Sequence, residues 1–118
     1  PIGYGDGFVR DYSGNADVIV HGRRAPVVGR VSMDMITVDL TDIPEAVQVG
    51  DEAVLLGRQK WEDRSERITS EELARRAGTI TYEVTCLIGK RVPRVFLRKG
   101  WKIGVDAMSG SFLSWVNS

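Results

Sequence analysis

The chain carries one cysteine, Cys86, and one histidine, His21, in 118 residues. A single thiol excludes an intrachain disulfide and fits a reducing compartment, so the expected setting is the cytoplasm. One cysteine and one histidine cannot make the usual four-ligand zinc site, and no metal centre is expected. A serine–histidine–acid arrangement would have to use His21, which its neighbours place in a hairpin turn, so that chemistry is set aside. Excess charge is lacking too: 16 Lys plus Arg balance 16 Asp plus Glu. A nucleic-acid module or a membrane-surface module shows a basic excess, so neither partner is expected. No apolar run approaches the ~20 residues that a membrane-spanning helix needs, and no signal peptide stands at the start. What remains, 42% apolar and 27% charged residues, is the balance of a soluble globular domain with length for one core. Pro1-Ile2 opens without an initiator methionine or a lead-in element, which suggests a piece of a longer protein.

What the chain does have is a glycine-rich start, Gly3-Tyr4-Gly5-Asp6-Gly7. Glycine accepts backbone angles that other residues resist, and it lets a ligand or second segment come close. Tyr4 between two glycines is expected on a tight, thinly covered turn with its phenol presented outward, and Asp6-Gly7 fixes the exit from that turn. Packing of Tyr4 over a hairpin is the plainer alternative.

Period-two alternation then predicts strands. Ala16–His21 reads as one, with a turn at His21-Gly22-Arg23. Arg24–Val28 returns, with Pro26 marking an edge or a bulge. Ile36–Leu40 alternates again, with Ile36, Val38 and Leu40 inward. Ala53–Gly57 is a mostly apolar strand, and charge-dense Trp61–Arg67 reads as a solvated loop. Thr69 starts a helix over about residues 70–77, with Glu72 placed to reach back to the cap's own amide and Gly78 ending it. Ile80–Leu87 is strand-like, with Tyr82, Val84 and Cys86 at even spacing. Arg91–Arg98 is a last strand starting at Pro93, and Gly100–Ser118 stays unassigned. The expected fold is mainly β: a small closed or partly open barrel with one short α-helix. The expected division is a β-domain over 1–98 and a tail over 99–118 whose structure the sequence does not predict.

Composition alone shows no enzyme: no paired carboxylates at useful spacing, no metal cluster and no phosphate cradle. Three stretches go further. These are Gly3-Tyr4-Gly5-Asp6-Gly7, then Arg24-Ala25-Pro26-Val27-Val28-Gly29-Arg30-Val31-Ser32-Met33-Asp34, then Gly78-Thr79-Ile80-Thr81-Tyr82-Glu83-Val84 with Cys86 and Arg91-Val92-Pro93-Arg94. In this order they resemble the C-terminal domain of alanine racemase.

The resemblance implies a C-terminal β-domain of a pyridoxal 5'-phosphate enzyme that interconverts L- and D-alanine, the D-alanine supply for peptidoglycan. The cofactor is implied to be bound mainly by an N-terminal α/β barrel, which carries the cofactor's lysine and is not in this chain. A head-to-tail homodimer is implied, in which the β-domain of one subunit completes the site in the partner subunit's barrel. Residue by residue, Tyr4 matches the catalytic tyrosine, the Met33 amide matches the group that holds the substrate carboxylate, and Tyr82 matches a tyrosine on the cofactor phosphate. The family often has Ala at position 5, Cys at 32 and Gln at 35, where this chain has Gly, Ser and Met.

Racemisation removes an α-proton from one face of the amino acid and returns it on the other, so two bases on opposite faces suit it. A free phenol titrates near 10 and is a poor base at neutral pH without a neighbouring cation. An arginine of the facing barrel, or Arg30, is the expected source of that charge, with a structural anchor as the equal alternative for Arg30. Ser32 and Asp34 read as loop formers, Asp34 by bonding local amides, and Cys86 reads as a small buried residue. Two alternatives stay open: a racemase for serine or a broader set of amino acids, and a non-catalytic barrel of the translation-factor kind. The isolated chain is expected to be inactive.

Overall fold

Val18, Ile19 and Val20, three consecutive residues buried on both faces of one strand, build the centre of the molecule. The structure, a computed structural model, describes residues 1–98 and the backbone of residues 101–106. Strand β1 (Asp17–Val20) pairs antiparallel with β2 (Arg23–Val28) through the turn at His21-Gly22. β3 (Thr37–Val38) adds to the far side of β2, and β4 (Ala53–Val54) adds to the far side of β1, giving the order β3-β2-β1-β4. This sheet curls into a half-barrel, so the expected mainly β, partly open architecture is observed. Ile19, Val54, Val18, Val27 and Ile68 are fully buried in one core that also takes Phe8, Tyr12, Leu73 and Val84. Between the β3 and β4 edges lies an apolar cleft of about 640 Å³, lined by Ile2, Val18, Ile36, Val38, Leu55 and Val92.

Pro26 lies opposite Asp17 on an inner strand, one residue before the β2–β3 ladder begins at Val27 and Val38. Its carbonyl accepts the amide of Asp39. The strand expected over Ile36–Leu40 is shorter, and Leu40 is exposed. Leu55 and Leu56 likewise bend the chain after β4.

The charge-dense stretch is not a loop. β5 (Gly57–Trp61) and β6 (Arg64–Ile68) form a hairpin, Gly57 opposite Ile68. Its inward face carries Gly57, Gln59 and Ile68 with half-buried Trp61, Arg64 and Glu66, while Arg58, Lys60 and Arg67 point outward, a period that reads as a polar loop because so few inward positions are apolar. Buried Gln59 accepts the Gly22 amide and donates to the Glu52 carbonyl, which seats the hairpin on the β1–β2 turn. His21 is buried in that turn, stacked on Trp61 with ring centroids 3.9 Å apart, and its Nε2 lies 2.9 Å from Asp51 Oδ2.

Helix α1 (Ser70–Ala77) matches the sequence reading: the Thr69 hydroxyl accepts the Glu72 amide, and Gly78 closes the helix in the left-handed conformation. Glu72 does not reach back to the cap. Its carboxylate is held by Arg24 at 2.6 and 2.7 Å and by Arg76 at 3.2 Å, since a guanidinium offers a charge-assisted pair where the cap offers one neutral amide.

The segment expected as a strand over Ile80–Leu87 is a second helix, α2 (Thr81–Cys86). Val84 turns into the core with Leu73 of α1, and Tyr82 and Cys86 face solvent. A strand would have put all three on one face; a helix rotates about 100° per residue and separates them. Cys86 is therefore exposed, not buried. β7 (Arg94–Arg98) pairs with β8 (Trp101–Asp106), so the described chain continues past residue 98 as a hairpin. The remainder of the expected tail, 99–100 and 107–118, lies outside the described residues.

Candidate active site

The glycine loop folds as a single 3-10 turn over Tyr4–Asp6. Asp6 is buried and shapes it: one carboxylate oxygen, Oδ2, accepts the Gly3 amide at 3.1 Å. Tyr4 is left half exposed at the top of the turn, as its two flanking glycines imply.

Two backbone bonds bring this loop to the Ser32–Met35 loop. The Tyr4 amide donates to the Ser32 carbonyl at 2.9 Å, and the Gly5 amide donates to the Met33 carbonyl at 3.0 Å. The approach is so close that a Cβ on Gly3 would stand 2.1 Å from the Ser32 carbonyl oxygen. The Ser32 hydroxyl accepts the Met35 amide and donates to the Met35 carbonyl, the loop-forming role expected of it.

These bonds decide where the loop's own amides point. No peptide bond among the described residues is cis. A trans peptide directs its N–H opposite to its C=O. The Ser32 and Met33 carbonyls point into the glycine loop, so the amides of Met33 and Asp34 point away from it. Neither amide has a hydrogen-bond partner among the described residues. Two successive N–H groups fixed outward beside an exposed phenol form a donor pair suited to a carboxylate.

A residue that the sequence reading gave no role ties this arrangement together. Arg91 donates from Nε to Asp6 Oδ1 at 2.9 Å and from Nη1 to Asp34 Oδ1 at 2.8 Å, with Nη2 3.5 Å from the Met33 carbonyl. Asp34 thus engages this guanidinium, not local amides, because a cation is the stronger donor. Asp34 first and Asp6 second strengthen Arg91's hold on its proton. Arg94 turns its guanidinium onto the carbonyls of Ile88, Gly89 and Val92 and shapes the turn that carries Arg91. The only sequence signal was the Arg91-Val92-Pro93-Arg94 run itself, since ion pairs 85 and 57 residues apart leave no local pattern.

Tyr4 and Met33 are thus brought together, whereas Tyr82 is joined to neither by a hydrogen bond. It stands on α2 with 77% of its surface exposed, and the hydrogen bond to the glycine loop comes from the turn after α2, where the Gly89 amide donates to the Asp6 carbonyl at 2.9 Å. Arg30 is exposed and its side chain makes no hydrogen bond or ion pair among the described residues. The apolar cleft is not lined by Tyr4, Met33 or Tyr82; the three side chains lie on open surface.

This surface, built on three ordered motifs, has known relatives. The family model of the alanine racemase C-terminal domain matches residues 1–96. The chain belongs to the alanine racemase C-terminal domain family. It is 49% identical over 100 residues to alanine racemase 1 of Clostridium acetobutylicum, covering 85% of this chain and 25% of that protein. Among solved structures, the alanine racemase of Bacillus anthracis with bound L-Ala-P matches with a TM-score of 0.76 and 39% identity, over 88% of this chain and 25% of that one. The alanine racemase of Bartonella henselae with covalently bound pyridoxal phosphate matches with a TM-score of 0.66 and 35% identity, over 75% and 23%. The chain thus spans about a quarter of the length of the curated relatives it matches. Membership in this family sets aside the translation-factor-type barrel. Among the described residues no helix is long and apolar enough to cross a membrane.

Proposed function

We propose that this chain is the C-terminal domain of a pyridoxal-phosphate-dependent alanine racemase, an isomerase that interconverts L- and D-alanine in the cytoplasm and so supplies D-alanine for peptidoglycan. The observation that carries this reading is the outward, unpartnered amide pair of Met33 and Asp34 beside exposed Tyr4. The three-quarters of the relatives' length that this chain does not cover is where the cofactor's lysine and barrel would be. The open setting of Tyr4, Met33 and Tyr82 fits a surface that a partner subunit's barrel covers in a homodimer.

Pyridoxal phosphate, when bound, supplies the electron sink that makes the substrate's α-proton acidic. Tyr82 fits its phosphate: the phenol is exposed, and a phenol donates a short hydrogen bond to a phosphate oxygen. The Met33 amide binds the substrate carboxylate and fixes which faces of Cα are presented. Tyr4, exposed beside these amides, would wall the pocket that forms when the partner subunit's barrel covers this surface.

The resemblance also gives Tyr4 the proton transfer, which requires a cation beside the phenol. Arg30 makes no such contact, and Arg91 is committed to Asp6 and Asp34. This setting supports Tyr4 as a wall of the pocket; a role as base needs charge from the facing subunit.

In deuterium oxide the full-length enzyme loaded with cofactor should place deuterium on Cα of alanine as it racemises it, and do so less well with serine. Failure to exchange that hydrogen with alanine rejects the reading. Tyr4→Phe separates the roles: loss of a general base lowers kcat by ~10²-fold or more, whereas loss of a wall hydroxyl acts mainly on KM. The isolated chain should exchange nothing.

A further inference from the structure

We propose that Arg91 is the positioning residue of the carboxylate-binding amides. The proposal rests on the racemase reading for its substrate, and on the geometry of this chain for its mechanism. Ser32, Met33, Asp34 and Met35 are all exposed, so neighbours in a core do not hold their loop. Bonds between Ser32 and Met35 close the loop on itself, and its Ser32–Met33 and Met33–Asp34 peptide planes are oriented by two backbone bonds, from Tyr4 and Gly5, and by the Arg91 guanidinium. Rotation of the Met33–Asp34 peptide would break the bond to Gly5 and turn the Asp34 amide inward. Arg91 opposes that rotation from both sides, gripping the Asp34 carboxylate and lying against the Met33 carbonyl. Its anchor is Asp6, buried beneath the glycine loop and bonded through its other oxygen to the Gly3 amide. One planar fork therefore fixes three segments: the glycine loop, the Ser32–Met35 loop and the turn after α2. A lysine offers one point charge and cannot hold three acceptors in these directions.

Charge adds a second effect. Asp34 carries a carboxylate on the same residue whose amide faces the incoming carboxylate. Paired with Arg91 at 2.8 Å, that negative charge is offset; unpaired, it would repel an anionic ligand a few ångströms away. Arg91 thus both aims the donors and cancels the charge that would work against them, without touching the substrate.

The test uses the full-length, cofactor-loaded enzyme and its Arg91→Ala, Arg91→Lys and Arg91→Ala/Asp34→Asn variants. Acetate serves as the carboxylate probe. KM for alanine and the inhibition constant of acetate should rise together by about tenfold in Arg91→Ala, the size of one lost charge-assisted hydrogen bond. The turnover number per cofactor-loaded site and cofactor retention should change far less. Arg91→Lys should not restore binding, whereas adding Asp34→Asn should recover part of it by removing the repulsion. A purely structural Arg91 would lower the melting temperature and the loaded fraction and leave KM and acetate inhibition unchanged; that result overturns the proposal. So does full rescue by Arg91→Lys. Should Arg91→Ala fail to fold, Arg91→Gln and Arg91→Lys carry the same comparison. If the wild-type enzyme does not act on alanine, the racemase reading falls by itself. Acetate-induced shifts of the Met33 and Asp34 amide resonances, in wild type against Arg91→Lys, then decide the Arg91 proposal.

Discussion

The Met33 carbonyl accepts the Gly5 amide at 3.0 Å, one position on from the Ser32–Tyr4 bond at 2.9 Å. Two consecutive carbonyls of one loop thus meet two consecutive amides of another. The candidate site is this short two-rung contact: it sets the Tyr4 turn and, through peptide planarity, the outward direction of the Met33 and Asp34 amides.

The contact predicts opposite outcomes for two similar substitutions. A Cβ at Gly3 would stand 2.1 Å from the Ser32 oxygen and 2.5 Å from the Met33 carbonyl carbon, both backbone atoms that cannot turn aside. Gly3→Ala should cost about 3 kcal/mol of stability, at the upper end of overpacking, and should separate the two loops. At Gly5 the nearest atom, at 2.8 Å, is Nη2 of Arg91, the most loosely held nitrogen of that guanidinium, and a side-chain end can give by a few tenths of an ångström with its two ion pairs kept. Gly5→Ala should therefore cost about 1 kcal/mol or less. Urea denaturation of both variants checks the contrast, and equal losses would refute it.

That the first seven residues form a tight turn presenting Tyr4 was legible because glycine and Asp-Gly patterns act locally. So were β1, β2 and the capped start of α1, each written in one short stretch of sequence. What the sequence did not disclose was set by distant partners. Glu72 left its cap for Arg24, 48 residues away, and Asp34 left its local amides for Arg91, 57 residues away. The β5–β6 hairpin hid behind surface charge because its inward face is carried by Gln59 and Gly57, which no hydrophobic pattern marks. Met33 was placed beside Tyr4 only by resemblance; its outward amide needed the structure.

Glu72 and Thr69 stabilise the same helix with different pH signatures. The Arg24 guanidinium, with help from Arg76, holds the Glu72 carboxyl below its ordinary value of 4.5, against the opposing effect of burial. A depressed carboxyl contributes stability that is fully present above its ordinary pKa and is lost as pH falls through the folded value. Glu72→Gln should therefore cost about 2 kcal/mol at pH 7 and progressively less below pH 4.5. Asp39, Asp51 and Glu45, also held low by hydrogen bonds, keep part of the acid sensitivity in that variant. Thr69→Ala removes a neutral cap bond to the Glu72 amide and should cost about 1 kcal/mol at every pH where the chain is folded. Denaturation curves from pH 3 to pH 7 distinguish the two. A Glu72→Gln loss that does not shrink on acidification would refute the ion-pair account.

The phase of α2 decides what Tyr82 is available to do. As a strand, residues 82, 84 and 86 would share one buried face, and truncating any of them would destabilise the core. As a helix, Val84 alone of the three is inside, at 8% exposure, against 77% for Tyr82. Val84→Ala should then cost about 2 kcal/mol through lost burial and an unfilled cavity. Tyr82→Phe and Cys86→Ser, at exposed positions, should stay within about 0.5 kcal/mol of wild type. Cys86 should also react with a thiol reagent in the folded chain about as fast as in urea. A protected thiol would return Tyr82 to a core face and take away the exposed phenol on which its phosphate contact depends. Fast reaction, joined to a stability-neutral Tyr82→Phe that weakens cofactor retention in the full-length enzyme, would fix the phenol as a contact made beyond this domain's own core.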